Sequence, residues 1–208
     1  VWAHLMGRTT VGGDREAVLA EVRAFRADEH DIHVAATLGF ENAYAVAIRA
    51  TQAEAMGLTR ISDLVPFGPT LSMAGDFEFF SRQEWVSIRD TYGLTLSNQR
   101  TMDAALMYEA IAEGAVDLIS AYTTDGRIAA YDLRVLEDDR GAIPPYDAVV
   151  LVSARLAREW PDVLAALGRL EGTIDVESMR SMNLRVDVNG IDPSTVAAAF
   201  IATLADTR

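Results

Sequence analysis

The 208-residue sequence contains no cysteine and no lysine. Without cysteine there is no disulfide framework, no thiol nucleophile and no cysteine-ligated zinc. Without lysine there is no Schiff-base chemistry, no lysine general base and no lysine of a phosphate-binding loop. All 18 basic residues are therefore arginine, a bias that reads as genome composition. Positive charge is scarce overall: the formal net charge is -13. An acidic chain with no basic stripe repels phosphate backbones, which disfavours nucleic-acid binding. No apolar run reaches membrane-spanning length, and none has the form of a secretory signal. The motifs G-x-S-x-G, H-E-x-x-H and G-x-G-x-x-G are all missing. Internal repeats and low-complexity tracts are missing too. Val1 is not an initiator methionine, so the chain is expected to be a processed or excised piece.

Half of the residues are apolar, which is too many for a disordered chain. The length suits one large domain or two small lobes around a true hydrophobic core. Residues 14–27, "DREAVLAEVRAFRA", place Val18, Leu19, Val22 and Phe25 on one face of an amphipathic helix with Asp14 as candidate N-cap. "IHVAATLGF" (32–40) and "YAVAIRA" (44–50) read as strands, and "TQAEAMG" as a short helix closed by Gly57. Pro66 and Pro69 punctuate a connection to a short strand ending at Gly75. A helix follows with Trp85, Ile88 and Tyr92 at helical spacing. "TMDAALMYEAIAEG" predicts a helix with Leu106, Met107, Ala110 and Ile111 facing inward and Gly114 stopping it. "AVDLISAY", "LRVLED" and "YDAVVLVS" are strand candidates. Beyond Ser153 the chain reads as helix, with Pro161 and Pro193 at helix starts. Strand and helix alternate through the middle, which predicts an α/β chain with a mostly parallel sheet. In such sheets ligands sit at the C-terminal ends of strands.

Few residues carry chemistry. His30, Asp31 and His33 with Glu29 lack a strong metal-ligand spacing and read as the solvated end of a helix. Glu137, Asp138 and Asp139 lack the alternating oxygens of a calcium loop and read as a solvated turn. The tyrosines are more informative. Tyr44 starts a strand, Tyr122 ends one at a turn, and Tyr146 follows Pro-Pro into another. One such ring is usually packing with its hydroxyl bonded. Three at strand–loop junctions suit a quaternary ammonium, which has no N–H donor and is held by ring faces through cation–π attraction. Arg82 is the candidate fork for an anionic end of the same ligand, or else a surface partner of Glu78 or Asp76.

"GFENAYAVAIRATQAEAMGLTRISDL", "FEFFSRQEW", "MDAALMYEAIAEGAVDLISAYTTDGRI", "YDLRVLEDD" and "PPYDAVVLVS" occur in this order and spacing. Together they resemble the substrate-binding proteins of osmoprotectant ABC importers, which take up glycine betaine, choline, carnitine and related quaternary amines. The likeness covers nearly the whole chain, including the tail from "LGRLEG" to "AAAFI". It implies a two-lobed type II periplasmic binding protein fold, with residues 44–146 as one lobe and residues 1–43 and 147–208 as what is present of the other. By motif it implies Tyr44, Tyr122 and Tyr146 as cage tyrosines, Arg82 as the carboxylate-binding arginine and Asn42 as a polar residue lining the pocket. Family members carry a further N-terminal strand and helix and a Tyr-Thr-Gly-Thr motif before the point where this chain reads "VWAHLMG". The first lobe is accordingly expected to be incomplete, with an uncovered sheet edge or one paired by a second chain. The implied function is capture of a quaternary amine for a transmembrane permease on the extracytoplasmic side, with no catalysis and no cofactor. The alternatives are a ligand-sensing module of the same fold, a truncated paralogue that no longer binds tightly, or an enzyme on this fold. The lack of lysine, cysteine and clustered histidines speaks against the last.

Overall fold

A computed structural model describes residues 15–206. The expected N-cap, Asp14, lies outside the described residues. The first helix, α1 (Arg15–His30), leads into a long strand, β1 (Ile32–Glu41), and then β2 (Tyr44–Arg49). The chain continues through α2 (Ala50–Met56), β3 (Ser72–Gly75), α3 (Gln83–Tyr92), β4 (Asn98–Thr101), α4 (Ala104–Ala112), β5 (Leu118–Tyr122), α5 (Arg127–Ala130) and β6 (Leu133–Val135). It returns through β7 (Asp147–Ser153) and closes with α6 (Ala154–Glu159), α7 (Pro161–Gly168), α8 (Val176–Asn183), a π-turn at Leu184–Val188 and α9 (Pro193–Asp206).

The strands form two sheets. One has the order β4-β3-β5-β2-β6, and the other is the antiparallel pair β1-β7. Strand β3 runs parallel to β4 and β5, whereas β2 runs antiparallel to both β5 and β6. The mostly parallel expectation therefore needs one correction: β2 opposes its two neighbours. It is the strand by which the chain enters this sheet from β1, so it points against the strands that follow.

Alternation along β2 sets two cores. Tyr44, Val46 and Ile48 face a cluster with Leu64, Met73, Phe79, Trp85, Ile88 and Leu118. On the other face Ala47 meets Met107, Tyr108, Ile111, Ile119 and Ile128. All five residues from Tyr44 to Ile48 are buried, as a central strand covered on both sides requires. Each large aliphatic side chain so buried contributes about 1.5–3 kcal/mol.

Helix α4 starts where Asp103 accepts a hydrogen bond from the Ala105 N–H (2.8 Å). It ends at Gly114, whose φ of +74° falls in the left-handed region glycine enters without steric cost. Its inward face differs from expectation at one position. Leu106 is exposed, and Tyr108 takes the inward place beside Met107 and Ile111. The Tyr108 ring is sheltered by Arg127, whose Cζ lies 4.3 Å from the ring centroid.

The β1–β7 pair is differently covered. Gly172 and Ile174 donate backbone hydrogen bonds to Thr37 and Leu38 of β1 (2.9 and 3.0 Å). Among the described residues no backbone group pairs with the outer edge of β7. Two crossings join the sheets, residues 41–43 and 144–147. The Asn42 N–H donates to the Tyr146 carbonyl (3.2 Å), and the Tyr146 N–H donates to Glu41 Oε2 (3.1 Å). Arg15 of α1 donates to Asp147 (Nε–Oδ1 2.8 Å) and pairs with Glu41 at 3.8 Å, so it touches both crossings. The approach to the second crossing is organised by Asp138. It accepts from the Tyr92 hydroxyl (2.5 Å) and from the N–H groups of Ala142 and Ile143 (2.9 and 2.7 Å). The acidic run read as a solvated turn is thus a turn with one carboxylate directed into the fold.

Candidate ligand-binding site

Tyr44 and Tyr122 are Cα partners in the β2–β5 register, so their side chains leave the same face of the sheet. Their rings lie 4.6 Å apart at 32°. The Tyr122 hydroxyl donates to the Tyr44 hydroxyl (2.9 Å), which donates onward to Asp76 Oδ2 (3.3 Å). Asp76 sits just past β3. Its other oxygen accepts from the Glu78 and Phe79 N–H groups (2.8 and 2.9 Å) and so folds a 3-10 turn, Phe79–Ser81. That turn brings Phe79 to 5.2 Å from Tyr44 and sets Arg82 beside the same ring, with Cζ 5.3 Å from its centroid.

Arg82 is not a free fork. It donates to Glu78 Oε2 (2.9 Å), and its Nε lies 3.4 Å from Glu84 Oε2 without the alignment of a hydrogen bond. Glu84 in turn accepts from the Tyr146 hydroxyl. Burial alone would raise the Glu84 carboxyl. The Tyr146 hydrogen bond, a backbone N–H and Arg82 outweigh it and hold the group below its ordinary value. Burial, reinforced by Tyr122, pushes the Tyr44 phenol up, and burial with Glu84 does the same to Tyr146. Both phenols therefore stay neutral donors.

Four of the five residues singled out by sequence are thus linked in one unbroken chain of contacts: Tyr122, Tyr44, Arg82 and, through Glu84, Tyr146. Asn42 is close by but turned differently. Its Oδ1 accepts from Thr124 Oγ1 (2.8 Å), and only its backbone touches Tyr146. Tyr44 is 5% exposed and Tyr122 41%, so Tyr122 is the ring that solvent reaches. Two cavities border Tyr44. One of about 400 Å³ opens beside the crossings, lined by Glu41, Ala43, Leu136, Pro144 and Pro145 among others. The other, about 40 Å³, lies between Tyr44, Asp76, Tyr108, Tyr122 and Arg127. Neither His30 nor His33 lines them. Sequence reasoning gave Asp76 and Glu84 no place in the site, although both hold its polar groups. The only local signal was an acidic residue just before "FEFFSR" and another two residues after it.

Residues 5–203 match the family model described as the substrate binding domain of ABC-type glycine betaine transport system. The chain belongs to this OpuAC family. A glycine-betaine-binding protein of Pseudomonas aeruginosa is 34% identical over 174 residues, covering 78% of this chain and 56% of that protein. The ergothioneine transport permease/ergothioneine binding protein EgtU of Helicobacter pylori (strain G27) is 29% identical over 168 residues, covering 80% of this chain and 30% of that protein. The chain thus spans less than two thirds of the length of these curated relatives. A crystal structure of a glycine betaine/carnitine/choline ABC transporter superposes with a TM-score of 0.89 at 28% identity, over 97% of this chain and 75% of that one. The α/β fold is that of the type II periplasmic binding proteins, and the OpuAC family is one of substrate-binding domains, not of enzymes. Among the described residues no helix is long and apolar enough to cross a membrane.

Proposed function

We propose that the chain captures a quaternary-ammonium solute of the glycine betaine, choline and carnitine type outside the cytoplasm and delivers it to the transmembrane permease of an ABC importer. In this reading it catalyses nothing and needs no cofactor. Residues 44–146 form one lobe, and residues 1–43 with 147–208 belong to the other, which a further segment or a second chain completes. The observation that carries the reading is the contact chain Tyr122–Tyr44–Arg82–Glu84–Tyr146. It gathers aromatic faces next to Asp76, Glu78 and Glu84 with one guanidinium among them, so the surroundings favour a cation. A methylated ammonium gains about 0.5–2 kcal/mol per ring face. Because the Tyr44 and Tyr122 rings are in contact, the exposed Tyr122 is the ring that turns to admit it.

Arg82 serves the carboxylate of a betaine by partner exchange. The Glu78 side chain is 73% exposed and gives up Arg82 at little cost, whereas Glu84 is 7% exposed and stays. Titration calorimetry with glycine betaine, carnitine and choline tests this. Tyr122→Ala should weaken every quaternary amine by about tenfold, close to 1.4 kcal/mol. Tyr122→Phe should change affinity far less, and Arg82→Ala should cost betaine more than choline. No heat with any of the three, or equal losses for Phe and Ala at position 122, would sink the proposal.

A further inference from the structure

The Tyr122 ring is exposed, yet the turn behind it is held by several hydrogen bonds. Thr123 donates its N–H to the Ala43 carbonyl (2.9 Å) and its Oγ1–H to the Glu41 carbonyl (2.7 Å), and its Oγ1 accepts from the Ala43 N–H (3.1 Å). Thr124 is buried and donates to Asn42. The Thr123 and Thr124 side chains are thus spent on the first crossing. Its carbonyls go elsewhere. Arg180 Nε donates to the Thr123 carbonyl, and Asn183 Nδ2 donates to the Thr124 carbonyl at 2.8 Å. Both donors sit in the last turn of α8, one helical turn apart, so one face of that helix closes over the turn.

The two backbones then come closer than side chains allow. A Cβ built on Gly126 would lie 2.3 Å from the Leu184 nitrogen and 2.6 Å from its Cα. Gly126 has φ -62° and ψ -25°, which any residue adopts. Glycine is therefore required here by proximity and not by conformation. Leu184 is also the first residue of the π-turn, the kind of local irregularity that often marks functional positions.

We propose that Arg180, Asn183 and the close contact of Gly126 with Leu184 form a clasp by which the C-terminal helices position the Tyr122 turn, so that ligand affinity depends on residues that never touch the ligand. These are positioning residues. The inference rests on the ligand reading above, and it also has a readout of its own. The clasp joins residues 123–126, which follow β5, to residues 180–184, which follow β7. It is a tie between the two parts of the chain additional to the two crossings.

Gly126→Ala is the most direct probe, because alanine suits that backbone and its methyl group forces the two segments apart, and Asn183→Ala is the milder one. Gly126→Ala, Asn183→Ala and the double variant should be compared with the parent by calorimetry, thermal melting and amide hydrogen exchange of residues 122–127. Each single change is expected to weaken the bound quaternary amine by about tenfold, and the double variant little further, because both act through one contact. Asn183→Ala should melt within about 4 °C of the parent, Gly126→Ala should melt lower because its methyl group displaces the Leu184 backbone, and exchange in the turn should quicken in both. Unchanged affinity in either variant, or an Asn183→Ala affinity loss that simply follows a fall in melting temperature, overturns the clasp. If the parent binds no quaternary amine, the ligand reading fails by itself and exchange decides alone: faster exchange in Gly126→Ala supports the clasp, and unchanged exchange overturns it.

Discussion

The two sheets are built to different standards of closure. The five-stranded sheet is covered on both faces by clusters drawn entirely from residues 44–142. Around β1 and β7 the buried apolar residues among those described are few: Val18, Ala36, Val152, Ala154, Ile174 and Val196. There Leu151, Val163, Val188 and Ile201 stay exposed, and α7 and α8 bury no residue completely. Both parts have the same composition rules and similar helices. What separates them is whether each amphipathic element finds a second layer to lie against. The first part carries its own cover. Among the described residues the second leaves apolar surface and the outer edge of β7 without cover, the kind of surface that invites a partner layer.

Truncation of the core should widen this contrast most. Ile48→Ala, at a fully buried site between β5 and β6, is expected to cost about 2–5 kcal/mol in urea unfolding. Leu151→Ala, on exposed β7, should cost within about 0.5 kcal/mol. Equal costs would mean that both sheets are closed to the same degree, and the comparison would break. A smaller effect concerns the polar ties. Asp117 accepts from the Ser72 N–H and hydroxyl (both 2.8 Å) and from Gln52 (2.9 Å), joining the starts of β3 and β5. Burial raises its carboxyl, but these donors and Arg49 outweigh that and hold it below the ordinary carboxylate range. Its folded-state value is depressed, so its contribution is complete above the unfolded value near ~4 and is lost as pH falls through the lower folded value. Asp117→Asn should therefore cost about 1–3 kcal/mol at neutral pH and flatten the acid limb of the stability curve. An unaltered acid limb would refute that role. The smallest effect belongs to Arg15, which ties α1 to Asp147 from a half-exposed position. Arg15→Ala should cost about 0.2–1 kcal/mol and less in high salt, measured by the same unfolding series.

The sequence made the local features legible and the long-range ones only in part. Strand β2 was readable because six apolar residues, Ala43 to Ile48, run together, β5 because "LISAY" lies between Gly114 and the turn "TTDG", and helix α4 because its apolar residues recur at helical spacing up to Gly114. Three tyrosines at strand ends pointed to one place, and the register of β2 against β5 brings two of them into contact. The inward set read for α4 held Leu106 and left out Tyr108, which packs in the second core with Arg127 over its ring. The engagement of Arg82 by Glu84 depends on a 3-10 turn that has no periodicity to detect. The contacts of Arg180 and Asn183 with the Tyr122 turn span more than fifty residues, and nothing local announces them. His30 and His33 stand at the end of α1 and the start of β1, where His30 packs edge-on against Phe25 at 5.1 Å.

The aromatic cluster has an optical consequence. Trp85 is 2% exposed and stands edge-on to Phe80 at 5.3 Å, with Phe79 between it and Tyr44, while Trp160 is 61% exposed. A soluble quencher reaches Trp160 and spares Trp85. The emission that survives quenching therefore contains a blue-shifted part that arises two rings from Tyr44, and excitation of the tyrosines feeds it. The fold has placed a chromophore where movement of Tyr122 alters its surroundings, with no label added.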